Sequence, residues 1–259
     1  MNILRKILVA SEPPYQIRPF WRGHLFLFDQ PRAANISSQQ GNWLLFVFFF
    51  LEVIVRPLAT AGARRLSIDP AIWWPLVEVG VLTMLVFWLV TKFKVRLSSL
   101  GLYSWLRWSK TEKLYLLQVL PISIIVFSFF TSASLKALWA RPNLWKVGLF
   151  IFVPQMIWGF YQEFLYRGIL QTELVRRWGT LSGILVSNLI FTFGPLHAYH
   201  FLAAQKNPSH LWIFSAIFSI GLLFAILFKR SGNLWIIGVM HGLGDWFIDG
   251  LARVSRMAS

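Results

Sequence analysis

Long apolar segments constrain this chain more than any other feature, because about seven of them approach the ~20 residues that a helix needs to cross a bilayer. They lie near residues 42–60, 71–91, 112–132, 146–176, 180–200, 210–229 and 232–252. Hydrophobic residues make up 56% of the chain, and its mean hydropathy of +0.59 is too high for an ordinary soluble domain. We therefore predict an all-α fold, a polytopic membrane protein with about seven transmembrane helices around an intramembrane polar cavity.

The chain divides into a short amino-terminal segment, a transmembrane domain and a tail. Residues 1–41 combine basic and aromatic side chains, and apolar residues at helical spacing near the start indicate a helix that lies at the membrane interface. A mobile tail fits this segment equally well. The transmembrane domain is expected over residues 42–252, with its polar core at 145–250, and residues 253–259 form a tail.

The balance of charge points to membrane lipid as a partner. The formal net charge is +15, which in a membrane protein indicates basic loops that meet anionic headgroups and does not require nucleic acid. Lysine and arginine are more frequent on the side of the amino terminus, which predicts a protein of the cell (inner) membrane with its N-terminus in the cytoplasm. The chain has no cysteine, which excludes thiol catalysis, disulfides and cysteine-ligated metals.

Ionisable residues lie inside the fourth apolar segment. Glu163 and Arg167 are four residues apart and so share one face of a helix, at a depth where charged groups are costly and usually functional. The fourth and fifth segments form a predicted hairpin at 178–180, which brings Glu163 and His197 to a similar distance of roughly 22–27 Å from the turn. A lone buried histidine satisfied by a carbonyl is the alternative, and the carboxylate at the same depth counts against it.

Other polar or helix-breaking residues surround this face. Pro195 lies just before the histidine and lacks an N–H, so it predicts a helix break that makes room for water or a substrate backbone, or a kink that serves packing alone. His241 and Asp245 share one face of the last segment, where they suit a developing oxyanion, a metal, a proton or a purely structural pair. Glu52 and Glu78 are interpreted as structural or lipid-edge residues that pair either with a nearby cation or with helix termini.

Three short motifs, taken in order, resemble those of a known family of membrane proteases. The family pattern is Glu-Glu-x-x-x-Arg, then Phe-x-x-x-His, then His-x-x-x-Asn or a similar polar residue. Here it reads QEFLYR at 162–167, FGPLH at 193–197 and HGLGD at 241–245. The chain therefore resembles the CPBP family of CAAX proteases and bacteriocin-processing proteins, which are intramembrane glutamic proteases. The resemblance covers roughly residues 145–250.

The resemblance implies an intramembrane endopeptidase that hydrolyses a peptide bond of a membrane-associated peptide or protein with an activated water, as in CAAX-like or C-terminal sorting-segment processing. It implies that His197 activates the water, that Glu163 and Arg167 support the site, and that His241 and Asp245 line the oxyanion side. It implies no metal and no other cofactor. A Glu/His/His metal hydrolase is disfavoured because the His-Glu-x-x-His helix signature is absent.

Departures from the family pattern bear on activity. Gln162 replaces the first glutamate, and an amide cannot act as a general base, a loss that costs ~10²–10⁴ in rate. Gln162 is either a deliberate inactivating replacement, or a natural variant in which Glu163 is the base, or the sign of a non-catalytic scaffold or immunity-type protein on the same fold. The intact remainder of the site favours Glu163 acting with His197. Asp245 replaces asparagine, and it must be protonated or paired with His241 or an arginine to avoid repelling an oxyanion.

Overall fold

The computed structural model describes residues 36–66, 70–108 and 110–256. The predictions for the amino-terminal segment therefore fall almost entirely outside the described residues, as does the end of the tail. Throughout the described ranges the backbone is predominantly helical and contains no strand. This confirms the all-α fold expected from the apolar segments.

The helices of the described part of the chain are numbered here in chain order. They are α1 (38–65), α2 (Pro70–Phe93), α3 (Lys110–Phe130), α4 (Ser132–Trp139), α5 (Leu144–Trp178), α6 (Thr180–Phe193), α7 (Ala198–Lys206), α8 (Trp212–Ser231) and α9 (234–256). Helices α1, α5 and α9 contain π-helical turns at Phe50–Val55, Gly148–Phe152, Phe164–Gln171 and Trp246–Gly250. Such turns are frequent at functional sites, and all of them except Gly148–Phe152 hold or adjoin a buried or half-buried acid.

The helical stretches long and apolar enough to cross a membrane correspond to the first six predicted segments. Within the described ranges there are six: Ser38–Gly62, Leu76–Phe93, Glu112–Phe130, Leu144–Trp178, Thr180–Lys206 and Pro208–Ser231. The seventh predicted segment is also helical, as α9, but it is not among the six. His241, Asp245 and Asp249 lower the mean hydropathy of α9, which is why this helix is not among the six. The chain is an all-α integral membrane protein.

The connections around α6 place the second motif. Helix α5 ends at Trp178, and Gly179 adopts a positive φ of 80° before α6 begins at Thr180, which confirms the predicted hairpin. A positive φ costs glycine little, because it has no Cβ. Helix α6 ends at Phe193 and is followed by a 3₁₀ turn over Pro195–His197, as the missing N–H of proline predicts.

Helices α5 and α9 cross closely along the part that carries the motif residues. Gly159 on α5 lies directly against the backbone of Gly242 on α9, and a Cβ on Gly242 would come within 2.8 Å of the Met156 Cα. Small residues at a crossing let two helix backbones approach each other in a membrane. The glycines therefore bring the first and third motifs side by side.

The crossing predicts a difference between two neighbouring glycines of α9. We expect Gly242→Ala to be less stable than Gly244→Ala by about 1–3 kcal/mol, because its methyl group would press on helix backbone. A Cβ at Gly244 meets only the Phe127 ring at 3.9 Å. Both changes raise helix propensity by a similar amount. The difference in stability between the two variants therefore reports the contact at the helix crossing. Thermal unfolding in detergent measures it, and equal stability of the two variants would contradict the close approach.

Candidate active site

Glu163 is the centre of a buried polar network. Its Oε1 lies 2.6 Å from Nδ1 of His241 on α9, and its Oε2 lies 3.4 Å from Nε of Arg167 one turn later. The side chains of Glu163 and Arg167 have no exposed surface. A π-helical turn begins directly after Glu163 and contains Arg167. The predicted pairing of this arginine with Glu163 is confirmed.

Arg167 is held by two further helices. Its Nη2 donates to the carbonyl of Gly221 on α8 at 2.9 Å and faces Oδ1 of Asn188 on α6 at 3.4 Å. The guanidinium also stacks over the ring of Phe191, 4.5 Å from its centroid. Sequence reasoning missed these partners, although Asn188 is a polar side chain inside an apolar segment and could have been singled out on that ground. A buried cation thus joins α5, α6 and α8.

Asp245 extends the network to the first motif residue. Its Oδ1 lies 3.6 Å from Nε2 of His241, and its Oδ2 accepts a hydrogen bond from Nε2 of Gln162 at 3.4 Å. The Asp245 side chain is 19% exposed and that of His241 is 14% exposed, so this end of the network is the accessible one. The expectation that Asp245 pairs with His241 is confirmed.

His197 lies beside this network, against the same aromatic ring. Its ring packs edge to face on Phe191 with centroids 4.9 Å apart, and the His241 ring approaches Phe191 at 6.1 Å. Nδ1 of His197 lies 2.7 Å from the Phe191 carbonyl. Because a carbonyl oxygen only accepts, Nδ1 carries the proton in the neutral ring, and Nε2 keeps a lone pair. The carbonyl contact weighed as an alternative is present, and it leaves the second nitrogen free for chemistry.

The residues predicted as a site therefore lie on two helices, α5 and α9, and on the 3₁₀ turn after α6. Glu163, favoured from the sequence as the base, has both oxygens engaged and no exposed surface. Asp245, His241 and His197 retain some exposure. In the described part of the chain, no group of three or more His, Cys, Asp and Glu side chains is arranged to hold a metal ion.

A second buried cluster lies next to the first motif. Nη2 of Arg56 is 2.6 Å from Oε1 of Glu52 and 3.0 Å from Oε2 of Glu78. Tyr161, which precedes Gln162, donates its hydroxyl to Oε2 of Glu78 at 2.7 Å. This confirms that Glu52 and Glu78 pair with a nearby cation. The cluster fixes α1 and α2 against the start of the motif on α5.

Comparison with known proteins finds a family whose similarity covers the helices that carry the network. Residues 144–247 match the family described as type II CAAX prenyl endopeptidase Rce1-like, and this range contains the whole network. Lysostaphin resistance protein A from each of two Staphylococcus epidermidis strains is 31% identical over 241 residues, covering 81% of this chain and 61% of the relative. The chain thus spans about six tenths of the length of these curated relatives. No solved structure matches it significantly.

Proposed function

We propose that the chain belongs to the CPBP family, since its residues 144–247 match the Rce1-like family, and that it is an intramembrane endopeptidase that hydrolyses a peptide bond with an activated water. The observation that carries this proposal is the network itself. A carboxylate, an imidazole and a second carboxylate are connected at the crossing of α5 and α9, and the rings of His197 and His241 both pack against Phe191. General bases and oxyanion partners are the groups that peptide hydrolysis requires.

Each group has a role that its contacts support. The 2.6 Å contact with Glu163 orients the His241 ring. With both ring nitrogens protonated, Nδ1 donates to Glu163 and the Nε2–H group can donate to a developing oxyanion on the accessible side. Arg167 offsets the charge of Glu163, and its burial excludes water from the pair. Nε2 of His197 accepts a hydrogen bond from the attacking water and holds it in place.

The proposed substrate is a membrane-associated peptide or protein, and the proposed reaction resembles CAAX-like or C-terminal sorting-segment processing. An intramembrane site reaches a peptide bond only in a chain that enters or adjoins the bilayer. The net charge of +15 supports anionic lipid as the surrounding partner. We propose the cell membrane as the location, with the N-terminus in the cytoplasm, and no interaction with nucleic acid.

The test is to map the carboxyl termini of membrane proteins by mass spectrometry in cells that contain or lack the gene. We expect a defined set of termini to depend on the chain and to return when the gene is restored. Termini that depend on the chain would be the products of its cleavage. An identical set of termini in both strains would refute the endopeptidase function.

A second candidate function is a non-catalytic scaffold or resistance-type protein on the same fold. It is favoured by the amide of Gln162 at the position of the family's first glutamate and by the resistance role in the names of the two relatives. Under this function, deletion of the gene changes a cellular phenotype without changing any terminus. A His197→Ala variant then restores the phenotype as well as the wild type does.

A further inference from the structure

The two carboxylates of the network differ in how available they are to a substrate. Glu163 has no exposed surface, with Oε1 at 2.6 Å from His241 and Oε2 paired with Arg167. Asp245 has a side chain that is 19% exposed. A general base must reach the proton that it removes, directly or through one water. On access alone, Asp245 meets this requirement better than Glu163.

Neither oxygen of Asp245 makes a short contact, whereas Oε1 of Glu163 lies 2.6 Å from His241 and only its Oε2 is as far as 3.4 Å from a partner. The Asp245 oxygens lie 3.6 Å from Nε2 of His241 and 3.4 Å from Nε2 of Gln162, and ordinary hydrogen bonds of this type span about 2.7–3.2 Å. An ionised carboxylate offers about four lone-pair sites. Asp245 therefore keeps capacity to accept a further hydrogen bond, while its two neighbours hold it in place.

The partner of Asp245 across the helix crossing is an amide. Gln162 on α5 donates its side-chain N–H to Asp245 on α9, so this contact joins one amide and one carboxylate. The family pattern has a glutamate at the first of these positions and an asparagine or a similar polar residue at the second. Compared with the glutamate and asparagine form of that pattern, this chain has the same two functional groups in exchanged positions, so the contact still contains one carboxylate.

We propose that Asp245 is the catalytic carboxylate that takes the proton of the attacking water, and that Gln162 is a positioning residue that holds it by its amide N–H. This inference rests on the proposed endopeptidase function and assigns the base of that reaction. It replaces the role of Glu163 as base, and Glu163 instead orients His241. Under this proposal an amide at position 162 is compatible with hydrolysis, because Asp245 supplies the base.

The reaction balances with these groups alone. The water oxygen bonds to the scissile carbonyl carbon, one water proton passes to the Asp245 carboxylate, and the carbonyl π pair moves onto the oxygen beside His241. The C–N bond then breaks as the oxyanion pair returns to the carbon, and the departing nitrogen takes the proton from Asp245. The products are one carboxylic acid and one amine, which together contain the substrate and one water.

An exchange experiment tests the proposal, with the chain-dependent carboxyl termini in cells as the readout. Asp245→Asn removes the carboxylate and should lower these products by ~10²–10⁴-fold, the usual contribution of a general base. The exchange variant Gln162→Glu with Asp245→Asn restores one carboxylate and one amide to the contact, and it should recover products to within ~tenfold of wild type.

Each outcome bears on a distinct claim, provided that thermal unfolding shows each variant to be folded. Recovery in the exchange variant supports the proposal, because a purely structural Asp245 gives no reason for a carboxylate at position 162 to restore turnover. Wild-type product levels in Asp245→Asn, or no recovery in the exchange variant, overturn it. In either case the endopeptidase function stands if His197→Ala abolishes the products. An absence of chain-dependent termini in the wild type overturns both.

Discussion

Replacing Arg167 with methionine should lower the free energy of unfolding by about 3–5 kcal/mol, as breaking a buried ion pair typically does. The guanidinium is fully buried, pairs with Glu163 and donates to the Gly221 carbonyl. Methionine keeps an unbranched apolar stem but leaves the Glu163 carboxylate buried with His241 as its remaining ionisable partner. We expect a lower yield of folded protein and a lower unfolding temperature in detergent.

Arg176→Met is the matched control on the same helix. Arg176 also pairs with a buried glutamate, Glu173, but its side chain is 28% exposed and Arg177 remains as a second partner of that glutamate. Exposed pairs contribute about 0–1 kcal/mol. A difference of several kcal/mol between the two variants supports the buried network, and equal destabilisation would mean that the Glu163–Arg167 pair has no special role.

His197→Ala should lower the rate of peptide hydrolysis by ~10²–10⁴-fold, because it removes the nitrogen that accepts a hydrogen bond from the attacking water. The change also removes a neutral hydrogen bond to the Phe191 carbonyl, worth about 0.5–1.5 kcal/mol, and the packing of a buried ring on Phe191, so we expect a moderate loss of stability. The amount of chain-dependent carboxyl termini in cells reports the activity, and thermal unfolding reports the fold.

His210→Ala is the comparison for this prediction. His210 is exposed and lies in the 3₁₀ turn Pro208–Leu211, away from the network. Its replacement should leave both product levels and stability close to those of the wild type. Similar product levels in the two histidine variants would show that the His197 imidazole takes no part in the reaction.

Much of the fold follows from hydropathy. Apolar segments of the length of a bilayer predict helices whose ends fall within a few residues of those observed, and the glycine and proline signals at 178–180 and 194–195 predict the hairpin and the break. The last helix is where hydropathy is least informative. His241 and Asp245 belong to the network and Asp249 is exposed, and these three residues reduce the apolar character that identifies a span.

The site was only partly predictable. Spacing along one helix is enough to pair Glu163 with Arg167 and His241 with Asp245, because residues four apart share a face. Contacts between helices depend on how the helices cross, which local spacing does not determine. The contact of Arg167 with the Gly221 carbonyl and the exposed fraction of Asp245 both depend on how the helices cross. The exposure of Asp245 makes it better suited than Glu163 to be the base.

The central claim is tested most directly by hydrolysis with the purified chain in lipid vesicles. The substrate is a synthetic membrane peptide that spans a chain-dependent cleavage point mapped in cells, and the reaction runs in ¹⁸O-labelled water. We expect the wild-type chain to form a new carboxyl terminus that carries the label. The His197→Ala variant should form this product at least ~100-fold more slowly. No cleavage by the wild type, or labelled product at the same rate from both proteins, would contradict it.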